Sequence, residues 1–233
     1  MKRAVGIGLA ALFVSARLAS ADIVSAHYAE PTERYRHGVF GDVSEFGALV
    51  LNTNSRQITI RLPQSHVFED LEPRLIDVDS DGDFEVVVIE TDVRRGAALA
   101  IYDETGKVAE TPHIGRTNRW LAPIGAADLD GDGLVELAYI DRPHLAKVLR
   151  IWRFDDGALQ RVADIDGLTN HRFGQDFISG GIAECGANPF MVTANAAWSS
   201  VVRTQFEQGR YVSTVIGPFE GAQSIEDALD CDN

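Results

Sequence analysis

The chain has only two cysteines, Cys185 and Cys231, and neither lies near the N-terminus, so nothing marks a lipid attachment site there. Basic residues are scarce: 21 lysines and arginines stand against 35 aspartates and glutamates, a formal net charge of −14. No basic stripe is present to meet phosphates, which argues against nucleic acid. The same acidity argues against anionic membrane surfaces. After residue 21 no apolar run approaches the roughly twenty residues needed to cross a bilayer, so membrane insertion is not expected. The six histidines, His27, His37, His66, His113, His144 and His171, include no His-x-His or His-x-x-x-His spacing. They read as residues of turns and rims. There is no Gly-x-Ser-x-Gly elbow, no P-loop and no dinucleotide fingerprint, and no catalytic residue is assigned.

What is present begins with a leader. Met1-Lys2-Arg3 precedes an apolar stretch from Ala4 to Val14, and Ala19-Ser20-Ala21 has the small-residue form of a cleavage site. Residues 1–21 therefore read as a signal peptide, with Arg17 cutting the apolar stretch too short for an anchor. A buried N-terminal helix is the alternative. Residues 22–233 have the size of one domain, exported to the periplasm or secreted.

One phrase occurs twice, 51 residues apart. The first copy is Asp77-Val78-Asp79-Ser80-Asp81-Gly82-Asp83-Phe84-Glu85. The second is Asp128-Leu129-Asp130-Gly131-Asp132-Gly133-Leu134-Val135-Glu136. Acids at positions one, three and five, a glycine at six and a glutamate at nine converge oxygens on one point, as a hard cation requires. The expected calcium donors are Asp77, Asp79, Asp81 and Glu85 with the Asp83 carbonyl, and Asp128, Asp130, Asp132 and Glu136 with the Leu134 carbonyl. Gly82 and Gly133 permit the sharp reversal. An EF-hand needs a glutamate at position twelve, where this chain has Val88 and Tyr139. Val86-Val87-Val88-Ile89 and Leu137-Ala138-Tyr139-Ile140 follow the loops as buried strands, not helices.

An apolar strand, then Asp-x-Asp-x-Asp-Gly-x-x-Glu, then an apolar strand resembles the calcium loops of FG-GAP or VCBS-type β-propeller repeats. Such loops occur in the integrin alpha-subunit head and in secreted bacterial proteins. The likeness covers 73–92 and 122–141 directly, and 36–217 more loosely. The Phe-Gly and Gly-Ala-Pro phrases that name the repeat are not intact. The resemblance implies calcium as a structural cofactor and a role in binding.

The rest of the chain follows a period of about fifty residues. Repeats are read at 33–70, 71–117, 118–168 and 169–217, with a C-terminal tail at 218–233. Each contains up to four short strands joined by hairpin turns such as Asp103-Glu104-Thr105-Gly106-Lys107 and Asp155-Asp156-Gly157. The first and fourth repeats lack the alternating acids and are expected to be metal-free. The predicted fold is all-β: a small β-propeller of about four four-stranded blades, with calcium loops in blades two and three. A β-sandwich of similar strand count and a five-bladed ring are the alternatives. Ile23–Tyr28 is read as a strand that closes the ring against the fourth blade.

Residues placed just before the inner strands are Arg36-His37, Arg74, Arg119-Trp120 and Arg172-Phe173, and among them Arg74, Arg119, Trp120 and Arg172 suggest a ligand face for a carboxylate, sulfate or acidic peptide. The opposing view is that each arginine pairs with a nearby acid. The functional expectation is a calcium-stabilised binding or scaffold module for a protein, carbohydrate or anionic ligand. A hydrolase or lyase at the channel mouth is the alternative. In an exported chain the two cysteines are expected to form a Cys185–Cys231 disulfide that pins the tail to the last blade, the alternative being two separate thiols.

Overall fold

The computed structural model describes residues 22–42, 44–186 and 188–231. The leader read at 1–21 lies outside the described residues. What is described is all-β apart from one short helix, and every strand pairing is antiparallel.

The first sheet has eight strands: β1 (Ile23–Thr32), β2 (Glu45–Thr53), β3 (Gln57–Arg61), β4 (His66–Phe68), β5 (Arg74–Ile76), β6 (Glu85–Asp92), β7 (Gly96–Asp103) and β8 (Gly106–Glu110). The second has four: β9 (Leu121–Ala127), β10 (Glu136–Asp141), β11 (Val148–Asp155) and β12 (Ala158–Asp166). The third has five: β13 (Leu168–Thr169), β14 (Gly181–Ala183), β15 (Phe190–Asn195), β16 (Ser200–Glu207) and β17 (Arg210–Pro218). Helix α1 (Ala222–Leu229) follows.

The apolar runs of β6, β7 and β10 are buried along nearly their whole length because both faces of these strands are covered. Side chains alternate across a strand, and the core clusters follow that alternation. Val86, Val88, Ala100 and Tyr102 face Leu49, Leu51 and Phe68. Val87, Ile89, Leu99 and Ile101 face Leu137, Tyr139, Trp152 and Phe154 of the second sheet. Ala138, Ile140, Leu149 and Ile151 then face Met191 and Val202 of the third. The β1–β3, β4–β8, β9–β12 and β13–β17 groups thus stack in chain order through apolar faces.

Four separate four-stranded sheets were expected, and the hydrogen bonding differs. Strand β4 pairs with β6 over three residues and also with β2 at Phe46–Phe68, fusing the first two groups into one sheet. Nor does Ile23–Tyr28 reach the last sheet; β1 pairs with β2 from Ile23–Thr53 to Thr32–Glu45. None of the three sheets is closed. The outer face of the third sheet, at Val192, Ala194 and Val201, is covered by Ile225 of α1. Cys185 and Cys231 are joined, with their Cα atoms 5.3 Å apart, and this bridge ties the end of α1 to the segment after β14.

Candidate functional site

The two acidic phrases form matching loops ahead of β6 and β10. In loop one, Asp77 accepts N–H bonds from Asp81 and Gly82, at 3.2 and 3.1 Å. Asp79 accepts from Asp81 and Asp81 from Asp83, so each acid caps the residue two places on. Glu85 reaches back to the Val78 N–H at 3.0 Å. Loop two repeats the pattern. Asp128 accepts from Gly131, Asp132 and Gly133, Asp130 from Asp132, Asp132 from Leu134, and Glu136 from Leu129 at 2.9 Å. Position six is left-handed in both, at Gly82 (φ 97°) and Gly133 (φ 90°), a conformation that glycine adopts without strain.

Each loop brings three carboxylate oxygens within 4.8 Å of one another, from Asp77, Asp79 and Glu85 and from Asp128, Asp130 and Glu136. Oxygen donors crowded in this way suit a hard cation of flexible geometry. In loop one no lysine or arginine among the described residues pairs with the acids. Burial, with the charges of Asp79, Asp81 and Asp77 added, pushes Glu85 up to about 7. Burial followed by Asp81 also raises Asp79. Loop two differs in one side chain. Arg153 of β11 sends Nε to Glu136 at 2.7 Å and Nη1 to Asp132 at 3.0 Å, and its Nη2 donates to Asp130.

A cavity of about 350 Å³ lies elsewhere, where chain segments between the strands meet. His37 comes from the β1–β2 connection, Arg119 and Trp120 from just before β9, Arg142 and His144 from the β10–β11 loop, and Phe173 from the β13–β14 connection. Trp120 is its floor, 2% exposed, with its indole N–H donating to the Glu69 carbonyl at 2.8 Å. Leu145 and Phe173, each 62% exposed, form an apolar rim. Gly96 starts β7 with φ 78°, and a Cβ there would lie 2.8 Å from the Arg119 carbonyl. The missing side chain lets Ala97 donate to that carbonyl at 2.9 Å and so fixes the backbone ahead of Trp120.

All but one of the titratable groups of the cavity have an ionisable partner. His37 Nδ1 is 2.6 Å from Glu69, whose other oxygen accepts from Thr91 at 2.6 Å. Burial raises the Glu69 carboxyl, and the His37 bond opposes the rise. His144 Nε2 meets His171 Nδ1 at 2.9 Å. Burial, then the neighbouring histidines, lowers His144 to about 4, and burial lowers His171 as well. Arg142 is held by both oxygens of Asp141 at 2.8 and 2.9 Å. Arg119 makes no ion pair among the described residues; its Nη1 donates to the Asn118 carbonyl at 2.7 Å.

Residues 77–139 match the family model described as FG-GAP-like repeat. The chain carries an FG-GAP-like repeat. The matched segment runs from the first acid of loop one to the middle of β10, so it contains both acidic loops. No curated protein and no solved structure matches the chain.

The structure places the sequence-derived site residues unevenly, those of the FG-GAP-like repeat at 77–139 and those outside it alike. Asp77, Asp79, Glu85, Asp128, Asp130 and Glu136 gather as described, while Asp81 and Asp132 stand beside them and cap the turn. Asp83 and Leu134 donate their N–H groups to those caps. The four residues of the expected ligand face are not brought together. Arg119 and Trp120 line the cavity, but Arg74 is paired with buried Asp70 at 2.5 Å and Arg172 stacks on Trp198 at 4.5 Å. His37 and Phe173, read as standing ahead of inner strands, line the cavity with Arg119 and Trp120, whereas Glu69, His144, His171 and Arg153 were missed. Of the missed residues only His171 had a sequence signal, since Asn170-His171-Arg172-Phe173 echoes Asn118-Arg119-Trp120 at a spacing of 52.

Proposed function

We propose that the protein is an exported, calcium-stabilised β-propeller of four stacked groups that binds an anionic ligand at the cavity lined by Arg119 and Trp120. The observation that carries this reading is the guanidinium of Arg119. It has no carboxylate partner among the described residues, in an acidic protein, beside a buried indole and under an apolar rim of Leu145 and Phe173. A carboxylated sugar or an acidic peptide presents the matching groups: a carboxylate for the arginine and a flat or apolar face for the rings. The disulfide fits an oxidising compartment, and no helix among the described residues is long and apolar enough to cross a membrane.

Calcium is the cation the loops would hold, through Asp77, Asp79 and Glu85 in one and Asp128, Asp130 and Glu136 in the other. Its contribution there is structural, fixing the turns that enter β6 and β10. Arg153 already supplies one positive charge to the second loop.

Titration with oligogalacturonate and with a polyglutamate peptide, followed by tryptophan fluorescence, tests the cavity. At least one of the two should give a saturable change, and Arg119→Ala should weaken it by about 2–5 kcal/mol if the contact is desolvated. No saturable change with either, or an unaffected Arg119→Ala, contradicts the reading. The second reading, a hydrolase or lyase at the same mouth, draws on one contact. Glu69 holds His37 through Nδ1, which is how a base is oriented. His144 is tied to His171 and Arg142 to Asp141, which leaves Arg119 as a charge for a ligand and favours binding.

A further inference from the structure

The two acidic loops have the same backbone pattern but opposite residues across the sheet. In the β10–β11 pairing, Glu136 faces Arg153. In the β6–β7 pairing, Val86 faces Tyr102, so one residue further the register sets Asp103 opposite Glu85. Asp103 is used locally, accepting from Thr105 and Gly106 in the hairpin turn. Arg153 does something different. Each of its three guanidinium nitrogens goes to a separate acid of loop two: Glu136, Asp132 and Asp130. The corresponding acids of loop one, Glu85, Asp81 and Asp79, have no basic partner among the described residues.

We propose that Arg153 is a built-in cation of the second loop, so that loop one takes the calcium ion tightly and loop two is closed by Arg153 and takes one weakly. The inference rests on the calcium reading above. Two of the three gathered oxygens in loop two belong to Asp130 and Glu136, and both residues are held by Arg153. A divalent ion entering there must displace the guanidinium or accept a like charge beside it. The side chain of Glu136 is fully buried and that of Asp130 is 11% exposed, so water screens the repulsion poorly. Close charge pairs of this kind change affinity by roughly tenfold or more. The arginine also makes loop two independent of metal supply, because its acids are compensated as soon as β11 pairs with β10.

Calorimetric titration of the metal-stripped full chain with calcium chloride tests this, using wild type, Asp79→Asn, Asp130→Asn and Arg153→Met. Wild type should show one tight site, lost in Asp79→Asn and kept in Asp130→Asn. Arg153→Met should gain a second tight site, at least about tenfold tighter than the weak one in wild type. It should also melt lower than wild type when stripped and recover on adding calcium. If Arg153→Met fails to fold in either condition, the two aspartate variants still decide: tight binding lost in Asp130→Asn and kept in Asp79→Asn overturns the assignment. Two equal sites in wild type, unchanged in Arg153→Met, overturn this inference alone. No calcium binding by any form overturns it together with the calcium reading.

Discussion

Replacing Trp120 by alanine should cost about 3–5 kcal/mol of stability, the usual range for deleting a buried tryptophan. The indole joins the core that couples the first and second sheets. It meets Phe40 edge-on at 4.9 Å and His171 at 5.0 Å, so segments from both ends of the chain converge on it. Its removal also leaves the Glu69 carbonyl without the N–H it accepts at 2.8 Å, beside the carboxylate that holds His37. Trp120→Phe separates the two effects. It keeps much of the apolar volume and loses the hydrogen bond, at about 1–3 kcal/mol for the unsatisfied group. Urea denaturation measures both. A loss below about 1 kcal/mol for the alanine variant would show that the cavity floor is not a structural junction.

Loss of the disulfide is the other large effect. Cys185 and Cys231 are 46 residues apart, and chain entropy for a loop of that length gives about 4 kcal/mol. Helix α1 has eight residues and no side-chain N-cap bond, so it would not persist by itself. Ile225 anchors it on Val192, Ala194 and Val201, and Leu229 lies over Gly181. Cys231→Ser should therefore lower the urea midpoint and open the tail to proteolysis, and a reductant should do the same to wild type. Equal midpoints for oxidised protein, reduced protein and Cys231→Ser would mean that α1 holds the last sheet without the staple.

The strands were legible because apolar runs and hairpin turns are local signals. The turns read at 103–107 and 155–157 fall between paired strands, β7 with β8 and β11 with β12. Strand β4 was not legible. It has three residues, and its role in joining β2 to β6 depends on Phe46 meeting Phe68, a contact no short window contains. Ile23–Tyr28 was recognised as extended but given the wrong partner, because a local strand signal says nothing of its neighbour. Helix α1 was read as a polar tail although Ile225, Ala228 and Leu229 recur at a helical spacing, because that period spans only eight residues.

The candidate sites divide in the same way. Both acidic loops were visible because their donors lie within nine residues of chain. The cavity was legible only in part: His37, Trp120 and Phe173 stand ahead of inner strands, whereas His144 joins them from the β10–β11 loop only through the stacking of the sheets. The arginine ring expected on one face failed for a physical reason: Arg74 has buried Asp70 four residues away, and a buried carboxylate holds the nearest cation. Arg153 was hidden because it opposes Glu136 only once the β10–β11 register is known.

The central claim is that a divalent cation stabilises this fold through the acidic loops, and thermal unfolding with and without a chelator tests it most directly. Both samples should have the same ionic strength and the disulfide intact, one with calcium and one with excess chelator. Calcium at a hundred times its dissociation constant adds about 2.7 kcal/mol by mass action. For a domain of this size that corresponds to a melting temperature roughly 5–10 °C higher with calcium than with chelator. Asp79→Asn should bring the calcium sample most of the way down to the chelated one. A melt that chelation leaves unchanged, with Asp79→Asn melting like wild type, would contradict the account.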